Sequence, residues 1–272
     1  MIKQHTKFEK ELIRTYGKEL WGPFVKAIKK YNLIQDGDKV AVAMSGGKDS
    51  LMMAKLFQEL QRHPSMDFEV KFISMNPGFN EINLKSLEKN CNDLDIPIII
   101  NKSRIFDIVA SQNTGNPCYL CAKMRRGFLY NFAKEHGCNK LALGHHMDDV
   151  IETTLMNMFY AGEFKTMLPK VKSENFDNID LIRPMYLIKE KDIIRCFKSN
   201  NIETMGCGCE LNTCTTDGKR YETKKLIEEL KKTFVDIDKN IFRAAENVNL
   251  DSIVRWKKDG KEFSYYDDFD KE

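Results

Sequence analysis

The stretch that most constrains the fold is the apolar run 40–44, which passes directly into Ser-Gly-Gly-Lys-Asp-Ser (45–50) and then into the helical pattern LMMAKLFQEL (51–60). A strand, a tight glycine turn and a helix N-terminus together form an anion site, because the unpaired backbone N–H groups and the helix dipole both favour negative charge. This order of elements predicts an α/β fold with a phosphate-binding turn after its first strand.

The turn differs from the common nucleotide-binding loop G-x-x-x-x-G-K-[ST]. Val42 stands where that loop has its first glycine, and Asp49 follows the lysine where a Mg²⁺-binding hydroxyl belongs. Two glycines, two hydroxyls and a carboxylate instead suit a pyrophosphate group held by N–H and O–H donors, with a metal ion beside it. An ordinary glycine turn is the alternative.

Segments with β-strand character alternate along the chain with longer segments of helical periodicity. We predict strands at 39–44, 68–75, 96–101, 140–144 and 179–184. The alternation predicts right-handed βαβ units and a doubly wound, mainly parallel sheet, with ligands at the carboxyl ends of the strands. The polar segment 173–180 is typical of a loop or a hairpin.

Three regions follow from this pattern. Residues 1–35 form a charged helical leader, residues 36–205 the nucleotide-binding α/β domain, and residues 206–272 a cysteine segment followed by a helical tail. The 272 residues, 42% of them hydrophobic, can supply a sizeable core. No apolar run has the length of a membrane span and the first residues lack a secretory core, so we expect a cytoplasmic protein that does not bind membranes.

A second turn that bears carboxylates, Gly-His-His-Met-Asp-Asp (144–149), follows the fourth predicted strand. Because parallel strands end at one edge of the sheet, this turn should lie beside the first, where Asp49, Asp148 and Asp149 could gather Mg²⁺. Adjacent imidazoles rarely converge on one ion, which disfavours zinc. The alternative role for one of the two later carboxylates is to cap the following helix.

Cys118 and Cys121 stand at C-x-x-C spacing at the predicted start of a helix, where the dipole lowers the pKa of a thiol and favours thiolate ligation. Two thiols do not complete a metal site; the further candidates are Cys207, Cys209 and Cys214. A structural zinc site, an iron–sulfur cluster with an open iron and a redox pair all remain open. We expect small packed residues at the other positions, Cys91, Cys138 and Cys196.

Basic residues cluster beside these motifs and together could form an electrostatic footprint for the phosphates of a polynucleotide. The candidates for RNA contacts are Lys123, Arg125, Arg126, Lys165, Lys170 and Arg220. Each group alone is typical of an ordinary solvated surface, and the net charge of +3 adds little evidence.

With these motifs identified, the chain resembles the PP-loop ATP pyrophosphatase superfamily and, within it, the tRNA 2-thiocytidine synthetase family of tRNA sulfurtransferases. The turn 45–50 is similar to the superfamily signature S-G-G-x-D-S. Three further segments are similar, in order, to segments of the family: PCYLCAKMRRGFLY (117–130), ALGHHMDDVIETTLMNMFYAGEFKTMLPK (142–170) and IRPMYLIKEKDI (182–193). The resemblance spans roughly residues 40–230 and implies a fold of the adenine nucleotide alpha hydrolase type.

The resemblance implies ATP, Mg²⁺ and a [4Fe–4S] cluster as cofactors. It implies ATP contacts at Ala43, Ser45, Gly46, Gly47, Lys48, Asp49, Ser50, Met75, Gly144 and Asp149. It also implies Mg²⁺ at Asp49 and Asp149, and the cluster at Cys118, Cys121 and Cys214, with Cys207 or Cys209 as the alternative third ligand. The catalytic residues are then Asp49, Cys118 and Cys121. The expected partners are tRNA and a sulfide or persulfide donor such as a cysteine desulfurase, and a homodimer is a further expectation.

The implied reaction is ATP-dependent thiolation of tRNA. A pyrimidine carbonyl oxygen attacks the α-phosphorus of ATP, and sulfur delivered through the cluster then replaces that oxygen. The main alternative is thiolation at another tRNA position, such as a uridine. From another class of protein, the alternative is a noncatalytic module that binds ATP and RNA and is held together by zinc.

Overall fold

The computed structural model describes residues 7–63, 66–78, 81–103, 105, 117–173, 176, 178–204 and 218–268, with the backbone alone at 117–119, 121, 122 and 268. The helices are α1 (Lys7–Arg14), α2 (Gly22–Lys30), α3 (Lys48–Arg62), α4 (Glu81–Asp93), α5 (Pro117–Glu135), α6 (Met147–Met156), α7 (Glu190–Ser199), α8 (Lys219–Thr233) and α9 (Ile237–Ala244). The strands are β1 (Lys39–Ala43), β2 (Glu69–Asn76), β3 (Ile98–Lys102), β4 (Lys140–Ala142), β5 (Lys170–Lys172), β6 (Asp180–Ile182), β7 (Arg255–Lys258) and β8 (Lys261–Ser264). Single π-helical turns precede α2 and follow α6.

The first six strands form one sheet in the order β3-β2-β1-β4-β6-β5. Each neighbouring pair is parallel except β5 with β6. The chain winds outward from β1 to β3 and then crosses, through α5, to β4 on the other side of β1. The β1–β4 pair is therefore the switch point at which a doubly wound sheet leaves a ligand crevice. The predicted fold class is confirmed, and each predicted strand is present.

Strand β1 is buried on both faces. Val40 and Val42 pack into the larger apolar cluster, which includes Leu51 and Phe57 of α3, whereas Ala41 packs into a second cluster that contains residues of α5 and β4. A strand covered on both faces needs apolar residues at consecutive positions rather than at alternate ones. This burial explains the uninterrupted apolar run that leads into the phosphate-binding turn.

The chain also contains two antiparallel hairpins, one at the edge of the six-stranded sheet and one that forms a separate two-stranded sheet. The sequence predicts a loop or a hairpin for segment 173–180. The antiparallel pairing of β5 with β6 shows that this segment belongs to a hairpin. The helical tail is confirmed for α8 and α9 but is wrong for 255–264, which form the β7–β8 hairpin. Asp259 and Gly260 have φ values of 52° and 74° at its tip, as a two-residue hairpin turn requires. The Asp-Gly pair was the sequence signal for this turn.

The helical leader is confirmed by α1 and α2. Phe8 of α1 packs on Phe197 of α7, with ring centroids 5.5 Å apart, and Phe24 of α2 packs edge-on against Phe57 of α3 at 5.4 Å. The leader is thus part of the main apolar core. In the part of the chain that the structure describes, no helix has the length and apolar character needed to cross a membrane.

A buried ion pair joins this leader to α3. The Lys55 ammonium lies 2.6 Å from Glu9 Oε1, with the side chains 0% and 1% exposed, and it also donates to the Leu94 carbonyl oxygen at 2.7 Å. Arg62 adds a second contact to the same Glu9 oxygen at 2.7 Å. A buried pair of this kind is costly to break, because the remaining charge loses its partner without regaining water.

We predict that Glu9→Ala lowers the free energy of unfolding by about 3–5 kcal/mol, since it leaves the Lys55 charge buried without its carboxylate. Urea unfolding followed by circular dichroism measures the change. Glu11→Ala is the matched control on the same helix; it removes only a 3.9 Å pair with the exposed Lys7 and should cost less than about 1 kcal/mol. Equal losses in the two variants would contradict this account of the leader.

Candidate active site

The turn predicted to bind phosphate lies between β1 and α3. Gly46 has a φ of 84°, a left-handed conformation that favours glycine, and Gly47 is the N-cap of α3. The Ser50 hydroxyl closes the turn, because its Oγ donates to the Gly47 carbonyl oxygen at 2.9 Å and accepts from the Ser45 backbone N–H at 3.2 Å. The hydroxyls of the motif therefore shape the turn themselves.

The second turn, 144–149, lies against the first, as predicted. A Cβ atom at Gly144 would come within 3.3 Å of the Asp49 carbonyl carbon, which is backbone and cannot easily give way. Beside this contact is a cavity of about 380 Å³. Its lining includes most of the residues expected to contact ATP, namely Ala43, Ser45, Asp49, Ser50, Met75, Gly144 and Asp149. We call this space the nucleotide cavity.

Lys48, by contrast, faces a neighbouring cavity of about 390 Å³, which shares Asp49 and Asp149 with the nucleotide cavity. Its Nζ atom lies 3.1 Å from Asp49 Oδ2 and 3.0 Å from Glu190 Oε1. Lys224 approaches Glu190 from the other side, with 2.6 Å between Nζ and Oε2. Glu190 therefore links the start of α3 to α8. We call this second space the charged cavity.

Asp49 is well placed to bind a cation. Its Oδ1 atom is buried and has no hydrogen-bond partner. Burial raises the pKa of this carboxyl, against the opposing effects of Lys48 and His146. A buried oxygen without a donor is an unsatisfied acceptor that a metal ion would stabilise. Within the described ranges no group of three or more His, Cys, Asp or Glu side chains could hold a metal ion.

The two later carboxylates of the second turn have different partners. His146 is the N-cap of α6 and Asp149 completes a capping box, because its Oδ2 accepts from the His146 backbone N–H at 2.9 Å. The capping role expected for one of the pair is confirmed for Asp149. Asp148 Oδ2 instead accepts from the Glu190 backbone N–H at 2.7 Å. Asp148 is thus engaged at the start of α7 through one carboxylate oxygen, and its place beside Asp49 at a metal ion stays a prediction.

The hydrogen bond at His146 bears on the zinc alternative. The Asp149 backbone N–H donates to His146 Nδ1 at 3.4 Å, so the neutral ring carries its proton on Nε2, which lies 3.9 Å from Asp49 Oδ1. A ring nitrogen that carries a proton has no lone pair for a metal. This contact adds a physical reason to the argument against zinc at the two histidines.

The cysteine predictions fall mostly outside the described part of the chain. Helix α5 begins at Pro117, so its first turn contains the C-x-x-C motif, as expected. The thiols of Cys118 and Cys121, and the residues Cys207, Cys209 and Cys214, lie outside the described positions. The thiols expected to be packed residues are buried and free: Cys91, Cys138 and Cys196. Burial raises the pKa of Cys91 to about 11 and that of Cys196 to about 12, so these thiols are inert.

Only some of the predicted RNA-binding side chains face solvent. Lys123 and Lys165 are exposed. Lys170 donates to the Asn32 carbonyl oxygen at 3.0 Å and lies 3.5 Å from Asp180 Oδ2. Nearby acceptors thus hold this lysine at the sheet edge.

The three arginines among those candidates lie at the two cavities. Arg125 and Arg126 line the nucleotide cavity. Arg220 NH1 lies 2.8 Å from Asp149 Oδ1 and 3.0 Å from Glu152 Oε2, at the charged cavity. Arg126 and Arg220 nevertheless remain exposed, and the RNA-binding role of the three arginines stays a prediction.

The fold, the switch point and the two turns define a PP-loop nucleotide-binding protein. Residues 21–205 match the family described as PP-loop domain. A tRNA-cytidine(32) 2-sulfurtransferase of Citrifermentans bemidjiense is 36% identical over 227 residues, covering 82% of this chain and 88% of that one. Its counterpart in Hahella chejuensis is 35% identical over 257 residues, covering 88% and 87%. The chain belongs to the PP-loop family and, within it, to the family of the tRNA-cytidine(32) 2-sulfurtransferases.

A solved structure agrees with this fold. The U34-tRNA thiolase NcsA from Methanococcus maripaludis, solved with its [4Fe-4S] cluster, superposes with a TM-score of 0.67. The match covers 83% of this chain and 76% of that chain at 24% sequence identity. At that identity the match shows a shared fold.

The ion pairs of Glu190 with Lys48 and Lys224 in the charged cavity contribute to the stability of the fold. Burial would raise the pKa of Glu190, but the hydrogen bonds from Lys224 and Lys48 outweigh it and lower the pKa to about 2. The unfolded carboxyl titrates near 4.3, so this contribution is complete above about pH 5 and is lost as the pH falls toward 2.

We predict that Glu190→Gln destabilises the protein by about 1–2 kcal/mol at pH 7, a figure that allows for solvent screening of the half-exposed pairs. The difference from the parent should shrink as the pH is lowered from 5 to 3. Urea unfolding at each pH measures this. A difference that stays constant across the range would show that Glu190 does not act through its charge.

Proposed function

We propose that this protein thiolates C2 of cytidine 32 in tRNA, with ATP as the activating substrate. The observation that carries the proposal is the nucleotide cavity, where the S-G-G-K-D-S turn and the 144–149 turn meet at the switch point of the sheet. Relatives that align over most of their length with this chain are named for that reaction on cytidine 32. The cavity supplies a place for ATP, and the relatives indicate the nucleoside.

ATP is needed because a carbonyl oxygen is a poor leaving group. Attack of the cytidine C2 oxygen on the α-phosphorus forms an O-adenylyl bond and releases pyrophosphate. A sulfur nucleophile then adds to C2, and the original oxygen departs as part of AMP. Sulfide can add to C2 directly. Sulfur from a persulfide donor, the kind that a cysteine desulfurase supplies, must also gain two electrons from an added thiol or other reductant.

The residues of the cavity have roles that fit the first step. The hydroxyls of Ser45 and Ser50 and the backbone at Gly46 and Gly47 stabilise the β- and γ-phosphates, while Ala43, Met75 and Gly144 flank the rest of the nucleotide. Arg125 and Arg126 add positive charge to the same lining. Positioned donors of this kind stabilise charge as it develops on the leaving pyrophosphate.

The donor set at Asp49 and Asp149 fits Mg²⁺. Both carboxylates are shared by the two cavities, and the unpartnered Asp49 Oδ1 offers an oxygen of the type that Mg²⁺ prefers. When bound, Mg²⁺ would neutralise charge on the phosphates. Arg220 now pairs with Asp149 Oδ1, so Mg²⁺ at that oxygen would take the place of the guanidinium.

For the sulfur step we propose a [4Fe–4S] cluster on Cys118, Cys121 and Cys214, with Cys207 or Cys209 as the alternative third ligand. Three thiolates hold such a cluster with one iron open to bind sulfide. The position of the C-x-x-C motif in the first turn of α5 supports thiolate ligation. Arg125 of the same helix lines the nucleotide cavity, so the motif begins close to the nucleotide.

The tRNA must present cytidine 32 unpaired, since a base inside an A-form helix cannot reach a buried cavity. We propose that the exposed Lys123 and Lys165 bind the tRNA backbone, together with Arg126 at the rim of the nucleotide cavity. Lys170 and Arg220 would contribute after their present carboxylate contacts are exchanged for phosphate.

The direct test incubates anaerobically reconstituted protein with ATP, sulfide and unmodified tRNA, followed by nucleoside mass spectrometry and mapping of the modified position. We expect 2-thiocytidine at position 32 and one AMP for each thiolated base. Thiouridine as the product would favour the uridine alternative. Stoichiometric zinc without iron, with no modified nucleoside, would favour the noncatalytic module.

Asp49→Ala and Ser45→Ala should each lower tRNA-dependent release of pyrophosphate by about 10²-fold or more, because each removes a metal or phosphate contact. A pyrophosphate assay measures the rates. Lys85→Ala, on the exposed face of α4, is the control and should match the parent. Unchanged rates in both cavity variants would rule out the turn as the ATP site.

Cys118→Ala, Cys121→Ala and Cys214→Ala should each lose iron and thiolation while retaining ATP binding. The buried thiols Cys91, Cys138 and Cys196 provide matched controls, and their alanine variants should keep the cluster. Iron content, labile sulfide and 2-thiocytidine yield are the readouts. If Cys214→Ala keeps iron and activity while Cys207→Ala or Cys209→Ala loses both, the third ligand is reassigned. If the alanine variants of Cys207, Cys209 and Cys214 all stay active, the cluster proposal fails.

A further inference from the structure

The lining of the nucleotide cavity includes a histidine to which the proposed reaction has assigned no role. His145 shares that lining with Ser45, Asp49 and Asp149. Its Nδ1 atom accepts a hydrogen bond from Arg183 Nε at 3.3 Å. Because an arginine Nε carries a single proton and acts only as a donor, the ring nitrogen that faces it must have a free lone pair.

Arg183 is held rigidly for this contact. It follows β6 directly, and its backbone N–H donates to the Pro169 carbonyl oxygen at 2.9 Å. One of its terminal nitrogens also donates to the Leu168 carbonyl oxygen. Burial and the nearby Arg126 lower the pKa of Arg183 to about 10, so the guanidinium is still charged at neutral pH. The bond to Leu168 thus holds the guanidinium that faces His145, and the bond to Pro169 holds the backbone of the same residue.

The same surroundings keep His145 neutral. Burial lowers its pKa to about 4, and the charges of Arg183 and Arg220 add to this effect while Asp149 opposes it. A neutral imidazole whose Nδ1 is an acceptor carries its proton on Nε2. The ring therefore has one available polar group, an Nε2–H donor.

We infer that His145 is a fixed hydrogen-bond donor to a phosphoryl oxygen of the bound nucleotide, and that Arg183 is the positioning residue that selects its Nε2–H tautomer. The identity of the acceptor rests on the proposed function. The assignment excludes His145 as a general base, since its one lone pair is already bound to Arg183. It also gives Arg183, in the family segment 182–193, the role of fixing the His145 tautomer.

A neutral donor suits this position. Arg125 and Arg126 already bring positive charge to the cavity, and an imidazolium would add to their mutual repulsion. A preorganised N–H group strengthens its bond as charge grows on the phosphoryl oxygen, with no proton transfer and no reorientation. Removal of one such donor typically costs about 10²–10³-fold in rate.

The tautomer can be tested on the free protein by ¹⁵N NMR of its labelled histidines. In the parent, His145 Nδ1 should resonate as an unprotonated nitrogen and Nε2 as a protonated one at neutral pH. Arg183→Lys should shift His145 toward averaged tautomers and leave His146, which is bonded to the Asp149 backbone, unchanged as an internal control. A protonated Nδ1 in the parent, or a His145 spectrum that Arg183→Lys does not alter, would overturn the inference.

The donor role is tested by replacing His145 with glutamine or asparagine, whose amide N–H groups lie near the positions of different imidazole nitrogens. A glutamine side chain can put its amide nitrogen near the site of Nε2, and an asparagine side chain near that of Nδ1. His145→Gln should therefore release pyrophosphate at least tenfold faster than His145→Asn, with His145→Ala about 10²-fold below the parent. Equal losses for His145→Gln and His145→Asn, in variants with parental unfolding midpoints, would refute the donor role.

The two tests separate this inference from the function on which it rests. The NMR measurement uses neither ATP nor tRNA, so its result stands whatever the protein acts on. If the parent releases no pyrophosphate with tRNA, the proposed function fails while the tautomer assignment is still decided by NMR. If the parent is active and the tautomer is wrong, only the role of His145 and Arg183 is lost.

Discussion

The close contact between Gly144 and the Asp49–Ser50 backbone is the constraint on which the site depends. A Cβ atom at position 144 would lie 3.3 Å from that backbone, a tight contact that would force the two turns slightly apart, so glycine lets the second turn lie close against the first. The contact follows from the pairing of β1 with β4, whose carboxyl ends are adjacent. Because the two turns meet, Asp49 and Asp149 border the same two cavities. The pairing of β1 with β4 therefore determines where the cavities lie.

The second feature of the site is a set of charges drawn from elements far apart in sequence. Asp49 and Asp149 come from the two turns, whereas Arg220 and Lys224 come from α8, beyond the α/β domain. Glu190 bridges Lys48 and Lys224 and so connects the phosphate-binding turn to that helix. Helix α8 begins five residues after Cys214. The phosphate-binding turn is thus joined by ion pairs to the helix that follows the cysteine segment.

The sequence predicts the central part of this structure because two strong local signals agree. The apolar run of β1 predicts a buried strand, the full S-G-G-K-D-S string after it favours a phosphate-binding turn over an ordinary glycine turn, and parallel pairing brings the 144–149 turn to the same edge. What the sequence alone could not predict depends on tertiary partners. Arg125 and Arg126 belong to a basic cluster typical of RNA contacts, yet they line the nucleotide cavity. Arg220, although exposed, pairs with Asp149 and Glu152. Asp148 is bound by the Glu190 backbone, a contact across 42 residues that no local pattern indicates.

We propose that the nucleotide cavity activates the C2 oxygen of cytidine by adenylation, a step that sends this oxygen into AMP. A tRNA transcript made with cytidine that carries ¹⁸O at C2 makes the fate of the oxygen measurable. After a reaction with ATP and sulfide, mass spectrometry should find the label in AMP, in the same amount as 2-thiocytidine. Label found in water or in pyrophosphate, with unlabelled AMP, would contradict the account.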